Sequence, residues 1–384
     1  MAKTGRKKTE KQAVSGGFAL RDPKLYILSD HPLRDKTAYD EDRFSLRYWI
    51  GPVYDIIRHE KTQMPMTIAI YGGWGTGKTT AMKWLEGLLG KWNKNPTNGI
   101  KIWPVWFYPW KYHDKEDVWR GLLSEVIIEA IDVKNATWER TKNAAKQFGL
   151  FLGKGFLHAL ASVKFKVKAP GGIAEAEADL ANLKEIISEY QQTAHPEKAY
   201  LNEFESSLKN WVKDTLGDNE RMVIFIDDLD RCMPEIALQV LEALKLYLDI
   251  EKLIFVVGVD NVIVEKLVRE HYRRLGLLKK KSGEEKSDEE RRDIVLEHQE
   301  AVKYLAKMFQ VEVTLAPSEK QINDFFDEQI QSISYWKELT PEEDQLFRGL
   351  ILTRAGKNPR EINRLINSAV MRGVGALMQS GGKV

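Results

Sequence analysis

Apolar positions recur along this chain in two rhythms. Thr67–Tyr71, Ile102–Phe107, Met222–Ile226 and Leu253–Val259 are short runs with little alternation, as expected of parallel strands covered on both faces. Longer stretches with helical spacing lie around them. Leu46, Trp49, Ile50, Val53, Ile56 and Ile57 precede the first run, and Thr79 to Trp92 follows it. Val118, Leu122, Val126 and Ile127 come after the second, and Ile236 to Leu248 after the third. Pro52 either kinks the first of these helices or starts it. Strands alternating with helices predict an α/β fold with a doubly wound parallel sheet, because right-handed crossovers place helices on both faces.

Two stretches break the rhythm. Residues 134–200 read as a helical insertion, with a Lys-rich amphipathic half, a break at Pro170, Gly171 and Gly172, and then a Glu- and Ala-rich helix. Residues 279–293 are a charged loop. The predicted organisation is a polar N-terminal tail over 1–40, a core over 41–133 and 201–278, and a C-terminal helical lid over 294–384, with one short strand at Val311 to Leu315. The nearest approach to a membrane span is Phe148 to Val163, which Lys154 and His158 interrupt. It falls short of the roughly 18 apolar residues that a spanning helix needs, so no integral membrane contact is expected.

Composition narrows this picture only a little. With 384 residues, 43% of them hydrophobic, the chain can bury a sizeable core. A net charge of +2 gives the molecule no polyelectrolyte character, so any nucleic-acid contact has to come from a local patch. The single cysteine, Cys232, excludes an intramolecular disulfide and a Cys-rich zinc site, and it fits a reducing, cytoplasmic setting. The basic start of the chain has no apolar segment behind it and does not read as a secretory signal.

The chemistry-bearing signal is Gly72-Gly73-Trp74-Gly75-Thr76-Gly77-Lys78-Thr79, a complete G-x-x-x-x-G-K-T between an apolar strand and a helix. Glycines let the backbone turn its N–H groups inward, and the helix N-terminus adds partial positive charge where phosphates sit. Lys78 is expected to reach the β- and γ-phosphates of ATP, and the Thr79 hydroxyl to bind Mg²⁺. Thr80 completes the cofactor-binding stretch. A second signal, Val223-Ile224-Phe225-Ile226-Asp227-Asp228, is an apolar strand ending in two carboxylates. Asp227 is the expected Mg²⁺ residue, and Asp228 the one that orients or deprotonates the attacking water. Asp230 and Arg231 pair either with each other or with the site.

Four segments together resemble the KAP family of P-loop NTPases: YGGWGTGKTT, VIFIDDLDRCMPEIALQVLEALKLYLD, LIFVVGVD and GKNPREINRLIN. The Trp-rich VWFYPWKYHDKEDVWRGLL is similar to that family's region after the second strand. The resemblance implies an additional-strand ATPase core akin to the AAA+ and STAND groups, acting as a regulated switch. Many members carry transmembrane helices between the two nucleotide motifs; this chain departs from them there, and also at Tyr108 and Pro109. By resemblance and placement, Asp260 at the end of the fourth strand is either a γ-phosphate sensor or a plain helix cap. Arg360 resembles a lid arginine that touches the γ-phosphate, with Arg364 its rival.

Lys142, Lys146, Lys154, Lys164, Lys166 and Lys168 stand beside Phe148, Phe151, Phe156 and Leu160 in the insertion. This face suits an anionic membrane surface, a protein partner or nucleic acid, or else packs on its own domain. Trp103, Trp106, Trp110 and Trp119 read as core, and His113 and His158 lack companions at metal-ligand spacing. The expected function is an ATP-hydrolysing regulatory switch in a defence or signalling assembly, with a protein partner or a second copy. The alternatives are a DNA-handling AAA+-like ATPase and a nucleotide-dependent scaffold with little turnover.

Overall fold

The computed structural model describes residues 28, 44–97, 99–112, 115–133, 148, 197–247, 250–274, 299, 302–333, 336–337 and 339–379. The expectations for the tail other than Leu28, for most of the insertion with its basic face, and for the charged loop fall outside these residues.

The elements follow the predicted rhythm. Helix α1 (Leu46–Arg58) precedes β1 (Met66–Tyr71), α2 (Lys78–Trp92), β2 (Lys101–Phe107) and α3 (Lys115–Val133). Helix α4 (Glu197–Thr215) leads into β3 (Glu220–Ile226), α5 (Pro234–Tyr247), β4 (Leu253–Val259) and α6 (Asn261–Arg274). Strand β5 (Val311–Thr314) and helices α7 (Glu319–Gln331), α8 (Pro341–Ala355) and α9 (Pro359–Gln379) come next, and residues 302–308 before β5 are also helical. Pro52 lies inside α1 and does not start it.

The five strands form one parallel sheet in the order β2-β3-β4-β1-β5. Strand β4 therefore separates β1 from β3, the arrangement of an additional-strand core. Strand β5 lies in the stretch that the sequence assigns to the lid, yet it pairs with β1, Ile68 opposite Val311 and Tyr71 opposite Thr314.

Both sheet faces are covered, which accounts for the unalternating strands. Ala69, Ile224, Ile226, Phe255 and Val257 face one core with residues of α3, α5 and α6. Ile68, Ile70, Val223, Phe225, Ile254 and Val256 face the other, with α1 and α2. Each of these valine, isoleucine and phenylalanine side chains contributes about 1.5–3 kcal/mol on burial. Arg221 pins the second core by donating to the carbonyls of Ile57 at 2.6 Å and Glu60 at 3.3 Å, so the end of α1 is tied to the start of β3.

The lid helices have their own core of Ile322, Phe326, Ile351, Ile362, Ile366 and Val370, which Leu28 joins. The Leu28 backbone exchanges two hydrogen bonds with the Asn367 amide. Helices α7 and α8 begin where capping boxes dictate, Ser318 with Gln321 and Thr340 with Glu343, each satisfying otherwise orphaned N–H groups. Among the described residues no helix is long and apolar enough to cross a membrane.

Candidate nucleotide site

The site forms where β1, β4 and β3 end side by side. The loop after β1 is anchored at its start by the Gly72 N–H, which donates to the Val259 carbonyl at the end of β4 (3.0 Å). Gly75 (φ +82°) and Gly77 (φ +99°) hold backbone conformations that L side chains rarely adopt, so the loop can take this curl only with glycine at those positions. Gly77 caps α2 and leads directly into Lys78 and Thr79, which puts the helix N-terminus at the loop's concave side. The Thr76 hydroxyl donates back to the Gly73 carbonyl at 2.8 Å and closes the turn. Thr80 lies part-buried in the first turn of α2.

Lys78 is buried. Its Nζ donates to the carbonyls of Gly72 (3.0 Å) and Gly73 (3.2 Å) and stands 3.4 Å from Asp230 Oδ2. Only 5% of the Asp230 side chain is exposed. The open choice for Asp230 and Arg231 is thus resolved: Asp230 faces the loop lysine, and Arg231 Nε bonds Asp228 Oδ1 at 2.9 Å.

Asp227 is almost fully buried at the end of β3. Its Oδ1 accepts the Asp228 N–H at 2.9 Å, while its Oδ2 has no hydrogen-bond partner. Burial pushes its carboxyl above the ordinary range; the Thr79 hydroxyl, the Asp228 N–H and the Lys78 charge pull the other way. Asp228 adopts a left-handed conformation (φ 59°), uncommon outside glycine, so its carboxyl swings off the strand toward Arg231. Burial pushes its pKa up too, and the neighbouring Asp227 charge adds to the shift. The same burial drives the Cys232 thiol up to about 12, which leaves it a neutral neighbour.

The buried Asp227 carboxylate, with the hydroxyl of Thr79 beside it, is the donor set of a hard cation such as Mg²⁺. These residues fit such an ion. No cluster of three or more His, Cys, Asp or Glu able to hold a metal occurs among the described residues, so any cation here relies on the Thr79–Asp227 pair and on the nucleotide.

Asp260 is buried and its Oδ1 accepts the N–H groups of Val262 (3.2 Å) and Ile263 (3.4 Å), a cap on α6. The lid reaches the loop through α9. The Arg360 guanidinium lies over the Trp74 ring, 4.7 Å from its centroid, whereas Arg364 makes a two-pronged contact with Glu361 on an exposed face. Asn358 donates to the Trp74 carbonyl at 2.7 Å. Sequence reasoning missed Asn358; an Asn before Pro at a helix start signals a cap, but nothing in the sequence says that its other end meets the loop.

The Trp-rich turn after β2 packs beside this edge. Trp106 is stacked between Phe225 and Tyr108, and Lys83 Nζ of α2 lies 3.6 Å from the Trp106 ring centroid. Trp110, expected in the core, is 46% exposed. Its place on a short turn outside the sheet, next to Pro109, keeps it from either sheet face.

A family model described as the KAP family P-loop domain matches residues 49–373. No curated protein matches the chain.

Proposed function

The chain belongs to the KAP family of P-loop domains, a nucleotide-binding NTPase family, and from that premise we propose that it is an ATP-hydrolysing regulatory switch. The observation that carries this reading is the opposition of Lys78, buried under the loop, to the Asp227–Asp228–Asp230 carboxylates across the strand ends. Loop N–H groups and Lys78 would hold the β- and γ-phosphates, and Thr79 and Asp227 would hold Mg²⁺. When bound, that ion neutralises charge on the phosphate oxygens. Asp228 would accept the proton of the attacking water as its oxygen bonds to the γ-phosphorus and the bond to the β-phosphate oxygen breaks. Arg360 would meet the γ-phosphate from the lid, and Asp260 would stay a structural cap near the site. A role in a defence or signalling assembly, with a partner protein or a second copy, is carried by family likeness alone.

The test separates the two adjacent acids. Asp228→Asn is expected to bind Mg·ATP nearly as well as the unmodified protein, while single-turnover hydrolysis falls about 10²- to 10⁴-fold. Normal hydrolysis in that variant would place the base elsewhere, with Asp230 the first residue to examine. A second reading, a nucleotide-dependent scaffold with slow turnover, is favoured by one observation: Arg231 already engages Asp228 Oδ1, and its charge pulls the carboxyl's pKa down and so weakens it as a base. Arg231→Ala raising basal turnover would support this second reading.

A further inference from the structure

The amide of Asn358 works in two directions. Its Oδ1 accepts the N–H groups of Arg360 and Glu361 at 3.1 and 3.2 Å, which caps the start of α9. Its Nδ2 donates to the Trp74 carbonyl of the phosphate loop at 2.7 Å. A cap needs only the acceptor, and Ser, Thr or Asp supplies that as well as Asn does. The donor half has no part in capping; here it joins the lid to the loop.

The loop is shaped to admit this contact. A Cβ placed on Gly75 would come within 2.5 Å of Asn358 Oδ1 and 2.8 Å of Arg360 Cβ, so the lid helix starts in space that only a glycine leaves open. The same approach sets the Arg360 guanidinium over the exposed Trp74 ring. Three contacts, one amide bond, one close approach and one ring face, thus register the first turn of α9 against a single dipeptide of the loop.

We propose that Asn358 is a positioning residue for the nucleotide site: its bond to the Trp74 carbonyl fixes where Arg360 stands relative to the γ-phosphate. The inference rests on the reading of Arg360 as the residue that meets that phosphate. A guanidinium contributes only when it is held in place before the charge develops, because its long side chain otherwise loses rotamer freedom on binding. Asn358 removes that freedom at the backbone by fixing the helix turn that carries Arg360.

Asn358→Ser separates this role from capping, since a serine hydroxyl still accepts the α9 N–H groups but does not reach Trp74. Asn358→Asp keeps the acceptor and likewise has no donor. The full chain, with each variant and with Arg360→Ala, is titrated with ATP and with ADP, and single-turnover hydrolysis and melting temperature are recorded. Asn358→Ser is expected to melt with the unmodified protein, to bind ADP as well, and to lose about tenfold in preference for ATP over ADP, the order that one hydrogen bond carries. Hydrolysis falls by a similar factor. In the double variant Asn358→Ser with Arg360→Ala, the loss is no greater than for Arg360→Ala alone, because both changes break one chain of contacts. An unchanged ATP preference in Asn358→Ser, beside a loss in Arg360→Ala, overturns the positioning role and leaves the arginine reading standing. Strictly multiplicative losses overturn it too. If Arg360→Ala itself keeps the full ATP preference, the arginine reading fails and takes the inference with it.

Discussion

Asp227→Asn should invert the order of stabilities between the empty and the nucleotide-bound protein. In the empty protein the Asp227 carboxylate is buried with one oxygen unsatisfied, next to the Asp228 charge. A buried charged acceptor without a partner costs about 1–3 kcal/mol, and a neutral amide in the same place still leaves one polar atom unpaired. The net gain on substitution is therefore about 1 kcal/mol, worth about 1–2 °C in melting temperature for a chain of 384 residues. The pH dependence has a definite sign. A carboxyl whose folded pKa is raised destabilises the fold above that pKa, and the penalty vanishes below its unfolded value, about 3.9. The advantage of the variant is thus fully present above the raised folded pKa and closes as the solution is acidified. With Mg·ATP at a hundredfold excess over its dissociation constant, the unmodified protein gains about 2.7 kcal/mol. The variant, without its metal-holding carboxylate, gains much less. Thermal melts with and without Mg·ATP at several pH values measure both effects. A variant that melts below the unmodified protein when empty at neutral pH would refute the idea that this oxygen is held unsatisfied for a ligand.

Two further substitutions probe the supports of the same site. Lys78→Ala should abolish tight nucleotide binding and also destabilise the empty fold by about 3–5 kcal/mol, since it strands Asp230 without its buried counter-ion; adding Asp230→Asn should restore the melting temperature but not the binding. Arg221→Ala should lower stability by about 1.5–3 kcal/mol in denaturant titration through the loss of two charged bonds to the end of α1, with little change in nucleotide affinity.

The central fold was legible because its determinants are local and periodic. The β4 run of Leu253–Val259 is buried along its whole length, and the sequence showed the same unbroken apolar run. The loop from Gly72 to Thr79 was legible for a similar reason, since a left-handed backbone at Gly75 and Gly77 restricts which residues can stand there. Strand β5 was harder to assign. Its residues alternate between half-buried and exposed, and its place beside β1 depends on an edge that only the assembled sheet creates. The partners of Asp230 and Arg231 were equally hidden. Adjacent charges can bond in several ways, and the left-handed turn at Asp228 decides among them by aiming its carboxyl at Arg231 while Asp230 turns inward to Lys78.

These pairings bear on how the site would be switched. Three groups with a role in the proposed hydrolysis are engaged by other parts of the protein: Lys78 by Asp230, Asp228 by Arg231, and the lid turn that carries Arg360 by the Trp74 carbonyl. Phosphates that reach Lys78 therefore compete with a buried carboxylate, so nucleotide affinity reports a difference between two ion pairs and not the strength of one. The Arg231–Asp228 pair is half exposed on the arginine side, whereas the Lys78–Asp230 pair is buried, which makes it the ion pair more open to a partner's influence. A partner carboxylate that drew Arg231 away would free Asp228 without touching the nucleotide. In the proposed mechanism control of turnover would then be separable from control of binding, because the loop with Lys78 and the turn with Asp228 and Arg231 lie on different segments of the chain.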